Sequence, residues 1–199
     1  ANSYYRDPYD SFGNFDYVMA NPPFNVDGVE LDQVKDQPRF NTYGVPQNKT
    51  KSKKKDAKET VPNGNYLWIN QFATALNDTG RAALVMANSA SDAGNSEKDI
   101  RVKLIGSGII SQMVTLPSNM FTSVTLPATL WFFDKAKVKK DEILFIDARN
   151  METEPYEDSR TQRQLTAKTI DEINEARVEF LGKKGQFTTI MKEMKNLSA

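Results

Sequence analysis

The chain has 199 residues with 26 basic and 26 acidic side chains, so net charge gives no reason to expect a nucleic-acid partner and any such claim must rest on local patches. Hydrophobic residues make up 39% and charged residues 26%, a balance that excludes a disordered chain and fits one sizeable core. Cysteine and histidine are both absent, which excludes disulfides, thiolate metal sites, the Ser-His-Asp triad and the commonest general base.

Any chemistry must therefore use amides, carboxylates, lysines, backbone groups or a bound cofactor, and no metal site is expected. No apolar run approaches the length of a membrane span, and Ala1 opens onto polar and aromatic residues rather than a signal peptide. Lack of cysteine fits a reducing cytoplasm. An opening residue other than Met reads as part of a longer protein.

In chain order, the first apolar run is Phe15–Ala20, a buried strand that runs straight into Asn21-Pro22-Pro23-Phe24. Residues 26–62 follow as a long excursion with few apolar residues, three prolines and the run "KTKSKKKDAKE", expected to be mobile in part. Tyr66, Ile69, Phe72, Ala73 and Leu76 recur at helical spacing, with a stop at Asp78-Thr79-Gly80. A strand over 82–87, a helix from Ser96 or Glu97 to Ile105, and strands over 109–116 and 128–133 come next, with 143–146 a possible fifth strand. The first four strands are largely continuous rather than alternating, the pattern of strands covered on both faces. Strand alternating with helix is a crossover α/β arrangement.

The tail from Leu165 to Leu197 is helical in character and broken near Gly182 and Gly185. Ile170, Ile173, Ala176 and Phe180 form one stripe, suited to packing on the core or on a partner. Domain organisation is read as 1–150, an α/β catalytic portion containing the 26–62 loop, and 151–199, a helical tail.

Asn-Pro-Pro-aromatic at a strand end can be no more than a rigid turn. It falls, however, at the carboxyl end of a buried strand, the edge of an open α/β sheet where ligands bind. Lys49 to Lys58 contains six lysines and one acid, Asp56. A solvated face explains this run, and so does phosphate contact by Lys49, Lys51, Lys53, Lys54 and Lys55.

Three stretches carry a resemblance: "FDYVMANPPFN", "NGNYLWINQFATALNDTGRAALVMANS" and "DIRVKLIGSGIISQMVTLPSNMFTSVTLPATLWFFDK". Together they resemble the modification (M) subunit of type I restriction-modification systems, S-adenosylmethionine-dependent adenine-N6 DNA methyltransferases. The resemblance covers about Asn2 to Asn150 and implies a partial Rossmann-like methyltransferase sheet with flanking helices and a C-terminal helical tail. It implies catalytic roles for Asn21, Pro22, Pro23 and Phe24, with Phe24 and Phe121 stacking on the target base. Asn2 and Asn21 would face the cofactor. The implied substrate is duplex DNA with a flipped adenine, and the implied partners are a specificity subunit, a restriction subunit and a second M subunit.

Physical chemistry is consistent with those roles. An exocyclic adenine amine is a poor nucleophile because its lone pair is delocalised into the ring. Two acceptors aimed at its hydrogens, the Asn21 side-chain oxygen and the Pro22 carbonyl, favour a localised lone pair without an ionising base. The family's strand running into a Gly-rich cofactor turn is missing; Gly106-Ser107-Gly108 follows a helix and enters a strand. The chain thus reads as the C-terminal portion of a catalytic domain, with an incomplete S-adenosylmethionine site and no activity by itself. Methylation of protein glutamine or ribosomal RNA, and a non-catalytic assembly module, stay open as alternatives.

Overall fold

The computed structural model describes residues 2–48, 58–121, 125–159 and 161–182. They form two compact units, one from the chain up to Val114 together with Ala128–Ile143, the other from Thr115–Pro127 and the residues from Leu144 onward.

The first unit contains β1 (Phe15–Ala20), α1 (Leu31–Val34), α2 (Pro38–Asn41), α3 (Asn65–Ala75), β2 (Leu76–Ala87), α4 (Ser89–Asp92), α5 (Asn95–Gly106), β3 (Ile110–Thr115) and β4 (Ala128–Asp134). Its strands lie in the order β1-β2-β4-β3. β1 and β2 are parallel, with Val18 opposite Ala82 and Ala20 opposite Leu84. β2 and β4 are antiparallel, from Arg81 opposite Asp134 to Ala87 opposite Ala128. The result is a mixed sheet flanked by helices. Parallel pairing of β1 and β2 requires a crossover, and α3 supplies it.

The periodicity of α3 is read correctly, but its end is not. The helix stops at Ala75 and β2 begins at once, with a register shift between Phe15 and Tyr17 on the facing strand. Gly80, expected as a helix stop, instead lets two backbones approach: a Cβ there would lie 2.6 Å from the Phe15 carbonyl oxygen.

Tyr66, Ile69, Leu84, Met86, Leu104, Ile110, Trp131 and Phe133 belong to the main core, all nearly inaccessible. The Tyr66 and Trp131 rings meet edge to face at 6.4 Å and 87°. β2, β3 and β4 are covered as their continuous apolar pattern requires. β1 is not: Tyr17 is 75% and Met19 87% exposed. It stands at the end of the strand order, so its second edge lacks a strand neighbour among the described residues, and the face that carries Tyr17 and Met19 is exposed while Val18 and Ala20 pack on the core.

A second apolar cluster, of Tyr4, Val29, Val34, Phe40, Val61 and Leu67, organises the excursion. Its two short helices hold little stability of their own. What holds them is packing around Val34 and Phe40, and a ladder that closes the base of the loop. There Val61 donates to Val29 O at 2.9 Å and Leu31 to Glu59 O at 2.8 Å, with a bridge between Glu30 and Thr60.

The second unit contains β5 (Leu144–Asp147), β6 (Thr153–Pro155), β7 (Arg163–Leu165) and α6 (Ala167–Leu181). β6 and β7 form an antiparallel hairpin, an element the sequence pattern did not signal. Arg163 bonds Thr153 through Nε to Oγ1 and through Nη2 to the carbonyl, both at 2.6 Å. α6 starts at Thr166, whose Oγ1 accepts the Thr169 N–H at 3.2 Å, and stops at Gly182. Among the described residues no helix is long and apolar enough to cross a membrane.

Candidate active site

Asn21-Pro22-Pro23-Phe24 follows the last residue of β1 directly. Asn21 and Pro23 are exposed, Pro22 is buried, and Phe24 is half-buried against the main core. The turn is thus anchored by its first proline and by one flank of the aromatic ring, while the amide at the strand end stays accessible. Proline suits both middle positions because its fixed φ holds the preceding and following carbonyls still and it brings no competing N–H.

The chain leaves the motif through Asn25, a non-glycine residue in the left-handed region with φ 53°. Asn25 N–H donates to Asn65 Oδ1 at 2.8 Å, and Asn65 Nδ2 donates back to Asn25 Oδ1 at 2.8 Å. Gly64 N–H donates to Val26 O at 2.7 Å. The motif is therefore clamped to the first turn of α3. Asn65 and Asn25 were not signalled by the sequence reading; the only hint was the Asn63-Gly64-Asn65 run before an apolar helix.

Asn2 sits in a tight turn. Its Oδ1 accepts the Tyr4 N–H at 3.0 Å, and its backbone carbonyl accepts from Tyr5 and Arg6 at 3.1 and 3.2 Å. Arg39 on α2 is buried and holds this turn from below: Nη1 donates to Ser3 O at 2.9 Å and Nη2 to Tyr4 O at 3.0 Å. Its guanidinium also lies 4.4 Å over the Phe40 ring. Burial holds the Arg39 guanidinium below its ordinary pKa, with the nearby Asp7 charge opposing. Burial likewise pushes the Tyr4 phenol up to about 12.

At the carboxyl end of β2, Thr129 Oγ1 bonds Asn88 Oδ1 at 2.8 Å. Tyr66 donates to Ala90 O at 2.7 Å, and Arg101 Nη1 reaches the Tyr66 hydroxyl at 3.0 Å and Ala93 O at 2.9 Å. These bonds fix the loop after β2. Glu97, at the start of α5, is raised above the ordinary carboxyl value by burial, while a hydrogen bond with Asn63 and the Arg101 charge pull the other way.

Phe121 belongs to the second unit and is half-buried. Within that unit Asn119 adopts φ 62°, its carbonyl accepts from Arg163 N–H at 2.9 Å, and its own N–H donates to Thr125 O at 3.3 Å. Lys49, Lys51, Lys53, Lys54 and Lys55 lie outside the described residues. Among the described residues no group of three His, Cys, Asp or Glu side chains could hold a metal ion.

The mixed sheet with its flanking helices is similar to that of a solved methyltransferase subunit. The crystal structure of a type I restriction-modification system methyltransferase subunit from Streptococcus thermophilus matches with a TM-score of 0.71 and 25% identity, covering 88% of this chain and 34% of that one. A family model described as N-6 DNA methylase matches residues 1–197, and the chain belongs to that family.

Two relatives show how similar the sequences are. The type I restriction enzyme HindI methylase subunit of Haemophilus influenzae is 35% identical over 79% of this chain and 32% of its own length. The type I restriction enzyme MjaIX methylase subunit of Methanocaldococcus jannaschii is 36% identical over 86% of this chain and 29% of its own length. The chain thus spans about a third of the relatives it matches.

Proposed function

We propose that these residues are the substrate-base half of an adenine-N6 DNA methyltransferase of the type I M-subunit kind. The observation that carries this reading is Asn21-Pro22-Pro23-Phe24 at the carboxyl end of β1, in a chain of the N-6 DNA methylase family. Asn21 Oδ1 and the Pro22 carbonyl accept the two hydrogens of the adenine amine, which pulls its lone pair out of conjugation and toward the methyl donor. Neither acceptor has to ionise, so a chain without histidine is equipped for the task. Phe24 stacks on the base, which must leave the duplex to reach it.

S-adenosylmethionine, the methyl donor this reading requires, would bring an electrophilic methyl group. The described residues fit only an edge of its site: Asn2 and Asn21 are the candidates, and the Asn2 Oδ1 is already engaged by Tyr4 N–H. No strand running into a glycine-rich turn and helix occurs among the described residues. DNA phosphates are the proposed targets of Lys49, Lys51, Lys53, Lys54 and Lys55. A specificity subunit, a restriction subunit and a second M subunit are the proposed partners.

The test is methyl transfer by the full-length protein in its complex, with release-factor protein and ribosomal RNA offered beside duplex DNA. Labelled methyl groups on adenine N6 of DNA support the reading. Transfer to glutamine or to RNA alone contradicts it.

A further inference from the structure

Asn65 is 2% exposed and opens α3, yet its side chain gives nothing to that helix. The cap position is Gly64, without a side-chain bond, and the Asn65 backbone N–H is taken by Asn63 Oδ1 at 2.9 Å. Both side-chain hydrogen bonds of Asn65 cross 40 residues of sequence to Asn25, one to its backbone and one to its amide. The pair is reciprocal, so it fixes both the position and the rotation of the Asn25 peptide. Asn25 is also the residue whose left-handed φ sets the direction in which the chain leaves Phe24. Left-handed backbone is tolerated by asparagine but not favoured, so it persists where its surroundings impose it.

We propose that Asn65 is a positioning residue for methyl transfer: through Asn25 it holds the Pro22 carbonyl and the Phe24 ring in the geometry the target base requires. This rests on the function proposed above. A ring anchored to the core on one flank can still tilt if the next residue is released, and the amine acceptors two and three residues before it tilt with it. Displacement of a reacting group by about 1 Å costs on the order of 10²-fold in rate.

The experiment uses the full-length protein in its complex, a duplex that it methylates, and the same duplex with 2-aminopurine at the target adenine. Asn65→Ala, Asn65→Asp and Asn21→Ala are compared with the parent. Asn65→Ala is expected to lower kcat by about 10- to 100-fold while KM for S-adenosylmethionine stays within about two-fold. Asn65→Asp keeps an oxygen for the Asn25 N–H and is expected to recover part of that loss. With Asn65→Ala, 2-aminopurine emission is expected to exceed that of the parent complex, because a tilted Phe24 stacks less well on the extruded base. A kcat per folded molecule equal to the parent's, with parental emission, would overturn the proposal. If Asn21→Ala keeps full turnover, the reading of the motif itself fails, whatever Asn65→Ala does.

Discussion

The hydroxyl of Tyr4 occupies the space that a side chain at residue 64 would need. A Cβ built on Gly64 collides with the Tyr4 oxygen and comes within 3.3 Å of the Val26 carbonyl, to which Gly64 N–H donates. The Tyr4 ring is itself held 4.7 Å from Trp68, which stacks on Phe72 at 5.8 Å and 11°. One glycine thus lets the Asn2–Tyr4 turn, the exit from the Asn-Pro-Pro-Phe turn and the start of α3 meet.

Gly64→Ala is therefore expected to destabilise the fold by about 1–3 kcal/mol through overpacking, with Tyr4 displaced. Thermal unfolding of the variant checks this. An unchanged midpoint would mean that Tyr4 moves aside freely.

Glu97 makes a prediction about pH. Burial raises its folded-state pKa above the ordinary 4.5. Between those two values the native chain keeps a proton that the unfolded chain has lost, so this group's contribution to stability falls as pH rises through the window. Above the window the ionised carboxylate is a residual cost. Glu97→Gln keeps an oxygen for Asn63, so its unfolding midpoint is expected to exceed the parent's at neutral pH. The difference should vanish on acidification below the ordinary carboxyl range. A difference that grows on acidification would contradict the account.

Cofactor affinity is a third test. The 199-residue chain alone is expected to show no measurable S-adenosylmethionine binding by calorimetry, because among its described residues Asn2 and Asn21 alone are proposed for such a site. Micromolar binding would mean that the remaining contacts are formed within this chain.

Legibility of the fold varied with how local its causes are. β2, β3 and β4 could be read because Ala82, Leu84, Met86, Ile110, Trp131 and Phe133 sit in largely continuous apolar runs, the pattern of two covered faces. α3 followed from helical spacing, and α5, read as Ser96 or Glu97 to Ile105, spans Asn95–Gly106. The α3–β2 junction was misread because Asp78-Thr79-Gly80 has the composition of a helix stop, whereas the need for Gly80 comes from Phe15, far away in sequence. α1 and α2 gave no periodic signal: each is four residues long, and Val34 and Phe40 are held by Tyr4, Val61 and Leu67.

The candidate site was legible as a motif and not as a mechanism of support. Asn21 to Phe24 announce themselves as a rare run at a strand end. Asn65 is marked locally by no more than the Asn63-Gly64 pair before it, because its two side-chain hydrogen bonds reach Asn25, 40 residues away. Nothing in the sequence around Arg39 marks it as buried, yet it bonds two carbonyls of the Asn2 turn.

The central claim is that Asn21 and Phe24 act on the target adenine. Methyl transfer to duplex DNA by the full-length complex, measured for Asn21→Ala and Phe24→Ala beside the parent, tests it most directly. Loss of one preorganised acceptor in Asn21→Ala is expected to lower kcat by about 10²- to 10³-fold, and Phe24→Ala is expected to lower kcat with S-adenosylmethionine affinity retained. Full turnover by Asn21→Ala would contradict the account.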